Sequence, residues 1–253
     1  MKVCTLSSGS KGNSTYIETK NHKILIDIGT SSLYVEKSLS TIGVDPKDID
    51  ILLITHAHID HVKGIKVFNK KFNPLIYISD NIIKEANLED MVFKRIENLD
   101  QYKDVIIKDI NLSHDVTDIK GYVISENEES VVYITDTGYI QEKYFKDLSN
   151  KSLYIFESNH DVEKLMNNPN YPHHTKIRIL SDKGHLSNED SSYYLTRLIG
   201  DNTKYVVLAH ISEQNNTEDL ALNTLKETLK KKNINFNNIV IAKQNEMTEL
   251  MEV

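Results

Sequence analysis

The chain has 253 residues, a length that suits one large domain or two small ones and allows a substantial buried core. Its formal net charge of −7 argues against a broad basic face for nucleic acid, although a local groove or bound cations can still supply positive charge. We find neither an apolar run of the roughly 18 residues that span a membrane nor a secretory signal, so we expect no membrane partner. The single cysteine, Cys4, excludes an intrachain disulfide and favours a reducing cytoplasm.

Short segments rich in Ile, Val and Tyr alternate with helical segments along the chain, and such segments are typical of strands. We find no repeat and no linker, so the sequence predicts a single mixed α/β domain over residues 1–253. The predicted strands are 14–19, 23–28, 51–55, 75–79, 105–112, 121–125, 130–135, 153–157, 205–209 and 239–242. The predicted helices are 32–41, 61–71, 81–87, 142–148, 189–199 and 219–232.

The segment THAHIDH, residues 55–61, carries the strongest chemical signal in the sequence. It follows the apolar run 51–54, which is typical of a buried strand, and it precedes a predicted helix. It therefore lies at the C-terminal end of a strand, the edge at which open α/β sheets bind ligands. Imidazole and carboxylate groups are ligands of zinc, manganese and iron. The spacing therefore indicates a metal site, because such a cluster of rare residues seldom arises by chance.

Further His and Asp residues stand directly after, or close to, the ends of other predicted strands. A lone Asp in that place is often only a turn former. The repeated placement is harder to explain by turns, because burial alone does not put potential metal ligands where apolar strands end. The sequence therefore predicts that distant segments complete the metal site, and the candidate residues are Asp27, His114, Asp136 and His210.

Taken in chain order, these residues resemble the five-motif signature of the metallo-β-lactamase superfamily, over about residues 5–212. The resemblance implies a four-layer αββα sandwich with two divalent metal ions, zinc, manganese or iron, at one edge. It also implies a ligand that bridges the ions and a buried carboxylate that orients the ligands. The implied ligands are His56, His58 and His114 for the first ion, Asp60, His61 and His210 for the second, and Asp136 as the bridge, with Asp27 as the orienting residue.

The number of residues between the implied ligands indicates which members of the superfamily the chain resembles most. Asp136 and His210 are 74 positions apart, too few for the inserted cap of the β-CASP nucleases. His114 and Asp136 are 22 positions apart, which leaves no room for the long arm of ribonuclease Z. The short segment after His210 weakens the alternative of a hydroxyacylglutathione hydrolase. The segments 7–14, 157–161, 171–188 and 210–216 instead resemble those of the YycJ/WalJ-type bacterial exonucleases, which act on DNA.

This resemblance implies a phosphodiester hydrolase, a 5′-to-3′ DNA exonuclease of DNA repair in which a metal-bridged hydroxide attacks phosphorus. Asp60 would accept a proton, and His185, in a Gly-His-Leu-Ser segment, would serve the leaving group. Ser10 and Asn13, in the Ser/Gly-rich opening, and Arg178 are candidate contacts for the substrate.

Two alternatives remain open at this point. The same site suits a small-molecule hydrolase that cleaves a cyclic phosphodiester, a thioester or a lactone, and the acidic net charge favours that alternative. The second alternative is a regulatory protein that keeps the fold but has lost catalysis. The presence of every implied metal ligand argues against this alternative. The sequence does not fix the oligomeric state.

Overall fold

The structure is a computed structural model that describes residues 1–102 and 104–253. Its strands form a seven-stranded sheet, in the order β13-β1-β2-β3-β4-β5-β6, and a six-stranded sheet, in the order β12-β11-β10-β9-β8-β7. The strands are β1 (Lys2–Ser7), β2 (Ser14–Glu18), β3 (Lys23–Ile26), β4 (Ile51–Leu53), β5 (Leu75–Tyr77), β6 (Lys94–Arg95), β7 (Ile106–Asn111), β8 (Lys120–Glu126), β9 (Glu129–Ile134), β10 (Leu153–Glu157), β11 (Tyr205–Ala209), β12 (Ile239–Ile241) and β13 (Met251–Glu252).

The helices cover the outer faces of the two sheets. Leu25 of β3 and Tyr154 of β10 face these helices, whereas their neighbours Ile26 and Ile155 face the core between the sheets. This alternation follows from the two-residue period of a strand. The helices are α1 (Ser32–Thr41), α2 (Ile59–Val62), α3 (Ile65–Phe72), α4 (Asp80–Glu85), α5 (Phe145–Leu148), α6 (Val162–Asn167), α7 (His173–Ile179), α8 (Asn188–Leu198) and α9 (Glu218–Lys231).

Three apolar clusters hold these layers together. The central cluster lies between the sheets, a second joins α1, α3 and α4 to the outer face of the first sheet, and a third joins α8 and α9 to the outer face of the second. The order of layers is therefore helix, sheet, sheet, helix, as the family resemblance implied. Within the described ranges, no helix combines the length and the apolar character needed to cross a membrane.

The structure departs from the predicted elements in two ways. β1, β6, β13, α6 and α7 were not predicted; β6 and β13 have only two residues each, too few for a visible alternation. The predicted helix over 61–71 is broken into α2 and α3 at Gly64, whose N–H donates to Ile28 O at 2.8 Å. A Cβ at Gly64 would lie 2.6 Å from Thr30 O, so the close passage of these two loops requires glycine there.

Strand direction brings the chemistry to one edge. β3 and β4 are parallel, and so are β9, β10 and β11. β8 is antiparallel to both β7 and β9, so β7 runs in the same direction as β9. Because parallel strands end at the same edge of their sheet, the residues that follow these strands are gathered at one rim of the sandwich.

Candidate metal centre

Three residues at this rim adopt an uncommon backbone conformation. Asp27, Asp136 and His210 have φ values of 61°, 58° and 54°, in the left-handed region that residues other than glycine seldom occupy. Each follows a buried strand, and each side chain is itself buried. Strained backbone of this kind is concentrated at functional sites, where the surrounding structure holds it in place.

A first cluster of possible ligands consists of His56, His58 and His114, whose ligand atoms lie within 4.8 Å of one another. His56 and His58 come from the turn after β4, and His114 follows β7. His56 and His114 are buried, whereas the His58 side chain is 39 % exposed. The first cluster is therefore open to solvent on one side.

A second cluster consists of Asp60, His61 and His210, whose ligand atoms also lie within 4.8 Å of one another. Asp136 connects the two clusters, because its carboxylate oxygen and the ligand nitrogens of His56 and His61 also lie within 4.8 Å of one another. Its Oδ2 lies 3.2 Å from His61 Nε2. The structure thus gathers all seven residues that the sequence resemblance implied as ligands.

Hydrogen bonds at Nδ1 prepare three of the histidines for metal binding. His61 Nδ1 lies 2.7 Å from Asp27 Oδ2, His114 Nδ1 lies 3.0 Å from Gly184 O, and His210 Nδ1 lies 2.8 Å from Glu157 Oε1. Oxygens of these kinds accept hydrogen bonds, so the ring proton belongs on Nδ1. The lone pair of each Nε2 is then free to bind a cation, which is the usual arrangement around metal-binding histidines.

Unpaired polar atoms support the same conclusion. His56 Nε2, Asp136 Oδ2 and His210 Nε2 are buried and have no hydrogen-bond partner within the described part of the chain. A buried polar atom without a partner costs about 1–3 kcal/mol, so such atoms need an explanation. Divalent cations between the two clusters would satisfy all three. The donor set, nitrogen and oxygen without sulfur, fits zinc, manganese or iron.

Without cations, the buried charges shift the pKa values strongly. Burial alone would lower the pKa of His210, but the nearby Asp136, Asp60 and Glu157 outweigh it and raise that pKa to about 10. Burial opposes a charge on His61 as well, yet Asp27, Asp136 and Asp60 raise the pKa of its ring well above the usual value. In the ion-free protein both rings therefore hold a second proton more strongly than a free imidazole does.

We expect metal uptake to release protons, because a protonated imidazole cannot bind a cation. Since the pKa values of His61 and His210 are raised, the latter to about 10, the apparent metal affinity should keep increasing as the pH rises through neutrality towards about 10. Calorimetric titration of the ion-free protein with Mn²⁺, in buffers of different ionisation enthalpy, measures the protons released. An observed enthalpy that does not depend on the buffer would contradict this prediction.

Glu157 is a central residue of the site that the sequence analysis did not assign. It ends β10, is fully buried, and its Oε1 lies 2.8 Å from His210 Nδ1 and 2.9 Å from His185 Nδ1. Burial raises its pKa, but the adjacent His185 and His210 outweigh this effect and lower the pKa to about 2. A signal was present in the sequence, because Glu157 is the last residue of an otherwise apolar strand, close to where Asp136 and His210 follow theirs.

We expect Glu157→Gln to weaken metal binding and hydrolysis by about 10- to 100-fold, the usual effect of losing a residue that orients a metal ligand. The amide removes the charge that holds His210 and His185 in place. Metal affinity, measured by competition with a chelator, checks this, and Glu163→Gln on the exposed face of α6 is the matched control. Equal metal affinities in the two variants would contradict the role of Glu157.

His185 lies between the two ligand clusters. Its ring centroid is 4.8 Å from that of His114 and 5.2 Å from that of His210. Nδ1 bonds to Glu157, so Nε2 is free, and the side chain is 16 % exposed. Glu157 thus fixes the ring through Nδ1, and Nε2 is accessible to a molecule that reaches the rim.

The Ser/Gly-rich opening lies against the second cluster. The Asn13 side chain is only 1 % exposed, and its Nδ2 lies 3.0 Å from His61 Nε2 and 3.3 Å from Asp60 Oδ2. The structure therefore places Asn13 against two ligands inside the fold, whereas the sequence analysis expected it to contact the substrate. Ser10 is exposed in the same loop. Arg178 is exposed on α7, where it forms an ion pair with Asp115.

Comparison with known proteins agrees with this geometry. The family model of the metallo-beta-lactamase superfamily matches residues 8–210. The chain belongs to the metallo-β-lactamase superfamily. It is 36 % identical over 237 residues to exodeoxyribonuclease WalJ of Streptococcus pneumoniae, covering 90 % of this chain and 88 % of that protein. It is 32 % identical over 234 residues to exodeoxyribonuclease YycJ of Bacillus anthracis, with the same two coverages.

Among solved structures, the metallo-beta-lactamase fold protein YhfI from Bacillus subtilis superposes with a TM-score of 0.72. The superposition covers 98 % of this chain and 99 % of that one, at 19 % sequence identity. It supports the αββα fold of the superfamily.

Proposed function

We propose that this protein is a dinuclear metallohydrolase that cleaves phosphodiester bonds of DNA as an exonuclease. The observation that carries the proposal is the pair of ligand clusters joined by Asp136, with His185 between them. Two metal sites of this kind suit the displacement of an oxygen from phosphorus. The resemblance to exodeoxyribonucleases over 90 % of the chain supports DNA as the substrate.

Each cluster has a distinct part in this proposal. His56, His58 and His114 would hold one divalent ion, Asp60, His61 and His210 would hold the other, and Asp136 would be shared by both. When bound, two divalent ions supply a water of lowered pKa and neutralise charge on the phosphoryl oxygens. Asp27 and Asn13 position the ligands, because Asp27 bonds to His61 and Asn13 contacts both His61 and Asp60.

The proton transfers fall to Asp60 and His185. The Asp60 carboxylate lies beside His61, 3.5 Å from Nε2, at the partly exposed rim, where it can accept the proton of the attacking water. His185 is held through Nδ1 by Glu157, which leaves Nε2 at the rim, and the imidazolium form of the ring could donate a proton from Nε2 to the leaving oxygen. Ser10 and Arg178, both exposed, are the proposed contacts for the DNA backbone.

Incubation of the purified protein with end-labelled single- and double-stranded DNA, with Mn²⁺ or Zn²⁺, tests the proposal. We expect stepwise shortening from one end, abolished in the double variant Asp60→Ala/His61→Ala. Products that form equally with the double variant would point to a contaminating nuclease and remove the claim. Turnover of a cyclic phosphodiester, a thioester or a lactone without turnover of DNA would favour the small-molecule alternative.

Four further assignments belong to the same proposal. Degradation from 5′ to 3′ and a role in DNA repair follow from the resemblance to the YycJ/WalJ-type exonucleases. A cytoplasmic location is supported by the lone cysteine, Cys4, which is buried and free. A single domain over residues 1–253 is supported by the pairing of β1 with β13, which joins the first and last strands in one sheet.

A further inference from the structure

Asp115 lies at the mouth of the first ligand cluster and is not one of its three histidines. Its Oδ1 is 3.1 Å from His114 Nε2 and 3.7 Å from His58 Nε2. Its other oxygen, Oδ2, forms the ion pair with Arg178 Nη1. The Asp115 side chain is 25 % exposed, so it borders both the cluster and the solvent.

The contact between Asp115 and His114 requires a positive charge. His114 Nδ1 faces the carbonyl oxygen of Gly184, so the ring proton belongs there and Nε2 presents a lone pair. A carboxylate oxygen 3.1 Å away presents lone pairs as well, and the two atoms repel each other unless a proton or a cation lies between them. With metal–ligand bonds of roughly 2.0–2.1 Å, neighbouring ligands of one ion are separated by about 3–3.5 Å, close to the distances from Asp115 to the two rings.

We propose that Asp115 is a further protein ligand of the first ion in the substrate-free protein, beside the three histidines and Asp136, and that a phosphoryl oxygen of the substrate replaces it there. This inference rests on the metal centre of the proposed function. Together with Asp136, these protein ligands would number five and fill the coordination shell of a zinc ion, which holds four or at most five ligands, whereas a catalytic ion needs an open position. One ligand therefore has to leave when the substrate binds.

Asp115 is the ligand suited to leave. The rings of His56 and His114 are anchored at Nδ1, by Thr55 Oγ1 at 3.0 Å and by Gly184 O at 3.0 Å. Asp115 instead has a second partner, Arg178, on a helix at the surface. If the carboxylate leaves the ion, it keeps this guanidinium, so the exchange leaves no unpaired charge.

Metal affinity tests whether Asp115 is a ligand. The ion-free full-length protein is titrated with Zn²⁺ against a competing chelator, and Asp115→Asn is compared with Asp118→Asn, a variant in the same loop whose carboxylate lies 3.4 Å from Lys120 Nζ. We expect Asp115→Asn to bind one of two ions at least about tenfold more weakly and Asp118→Asn to match the wild type. Two unchanged affinities in Asp115→Asn would overturn the inference.

Binding of inorganic phosphate to the Zn²⁺-loaded proteins tests the exchange. Because phosphate has to displace Asp115 in the wild type, Asp115→Asn should bind it several-fold more tightly, even at about 0.5 M salt, where long-range charge effects are screened. Equal phosphate affinities would overturn the exchange. Neither measurement uses DNA. If the protein had no nuclease activity, the proposed function would be contradicted, but the role of Asp115 would still be decided by the metal and phosphate affinities.

Discussion

Replacement of Asp136 by Asn is expected to lower kcat/KM for DNA by about 10³-fold or more. Asp136 is 2 % exposed, and its unpaired Oδ2 lies between the two ligand clusters. The amide keeps the volume and removes the charge that both ions share, so both are bound less tightly and charge on the phosphoryl group is less well neutralised. A loss of about 4 kcal/mol in transition-state stabilisation corresponds to that factor.

Steady-state hydrolysis of end-labelled DNA with saturating Mn²⁺ measures this effect, together with the metal content after dialysis. Asp48→Asn is the matched control, since Asp48 is half exposed in a surface ion pair with Lys23. Thermal unfolding of the ion-free proteins separates a loss of metal from a loss of fold. An Asp136→Asn protein that binds two ions and cleaves DNA at the wild-type rate would contradict the bridging role.

His185→Ala is expected to lower kcat on DNA by about 10²- to 10⁴-fold, the usual contribution of a general acid. The ring lies between His114 and His210 but is held by Glu157, so its removal leaves the ligand atoms in place. We therefore expect the metal content to stay at the wild-type value. His173→Ala, which removes an exposed histidine on α7, serves as the control.

A substrate whose leaving group needs no proton distinguishes a general acid from a residue that only positions the metal ligands. A nitrophenyl phosphodiester releases a stable phenolate that needs no proton, so His185→Ala should cleave it within about tenfold of the wild-type rate. A residue that merely supported the metal ligands would lower the rates on DNA and on the nitrophenyl ester equally. Equal losses on both substrates would therefore exclude His185 as the proton donor.

The strands and the edge that carries the site could be predicted from local patterns, whereas the αββα layers were implied by the family resemblance. Apolar strands such as β10 and β11 are continuous in the sequence, and each was predicted with its observed bounds. The turn at 55–61 could be interpreted because four potential ligands stand within seven positions. His114, Asp136 and His210 were then recognised by one rule, that a possible ligand follows a strand.

The remaining parts of the site depend on contacts that no local pattern contains. Asn13 is typical of a surface turn in its Gly-rich context, yet pairing of its N–H with Asp60 O, at 2.7 Å, turns its side chain inward. Gly29 permits this approach, because a Cβ there would lie 1.5 Å from Asp60 O. Asp115 gains its position from Arg178, 63 residues away in the sequence. Pairings over such separations arise from the folded topology alone.

Anomalous diffraction from crystals grown with Mn²⁺ would test the central claim most directly. We expect two anomalous peaks, one among the Nε2 atoms of the first cluster and one among the ligand atoms of the second, with the Asp136 carboxylate in contact with both. A single peak, or peaks elsewhere on the protein with these residues unliganded, would contradict a dinuclear centre at the rim of the sandwich.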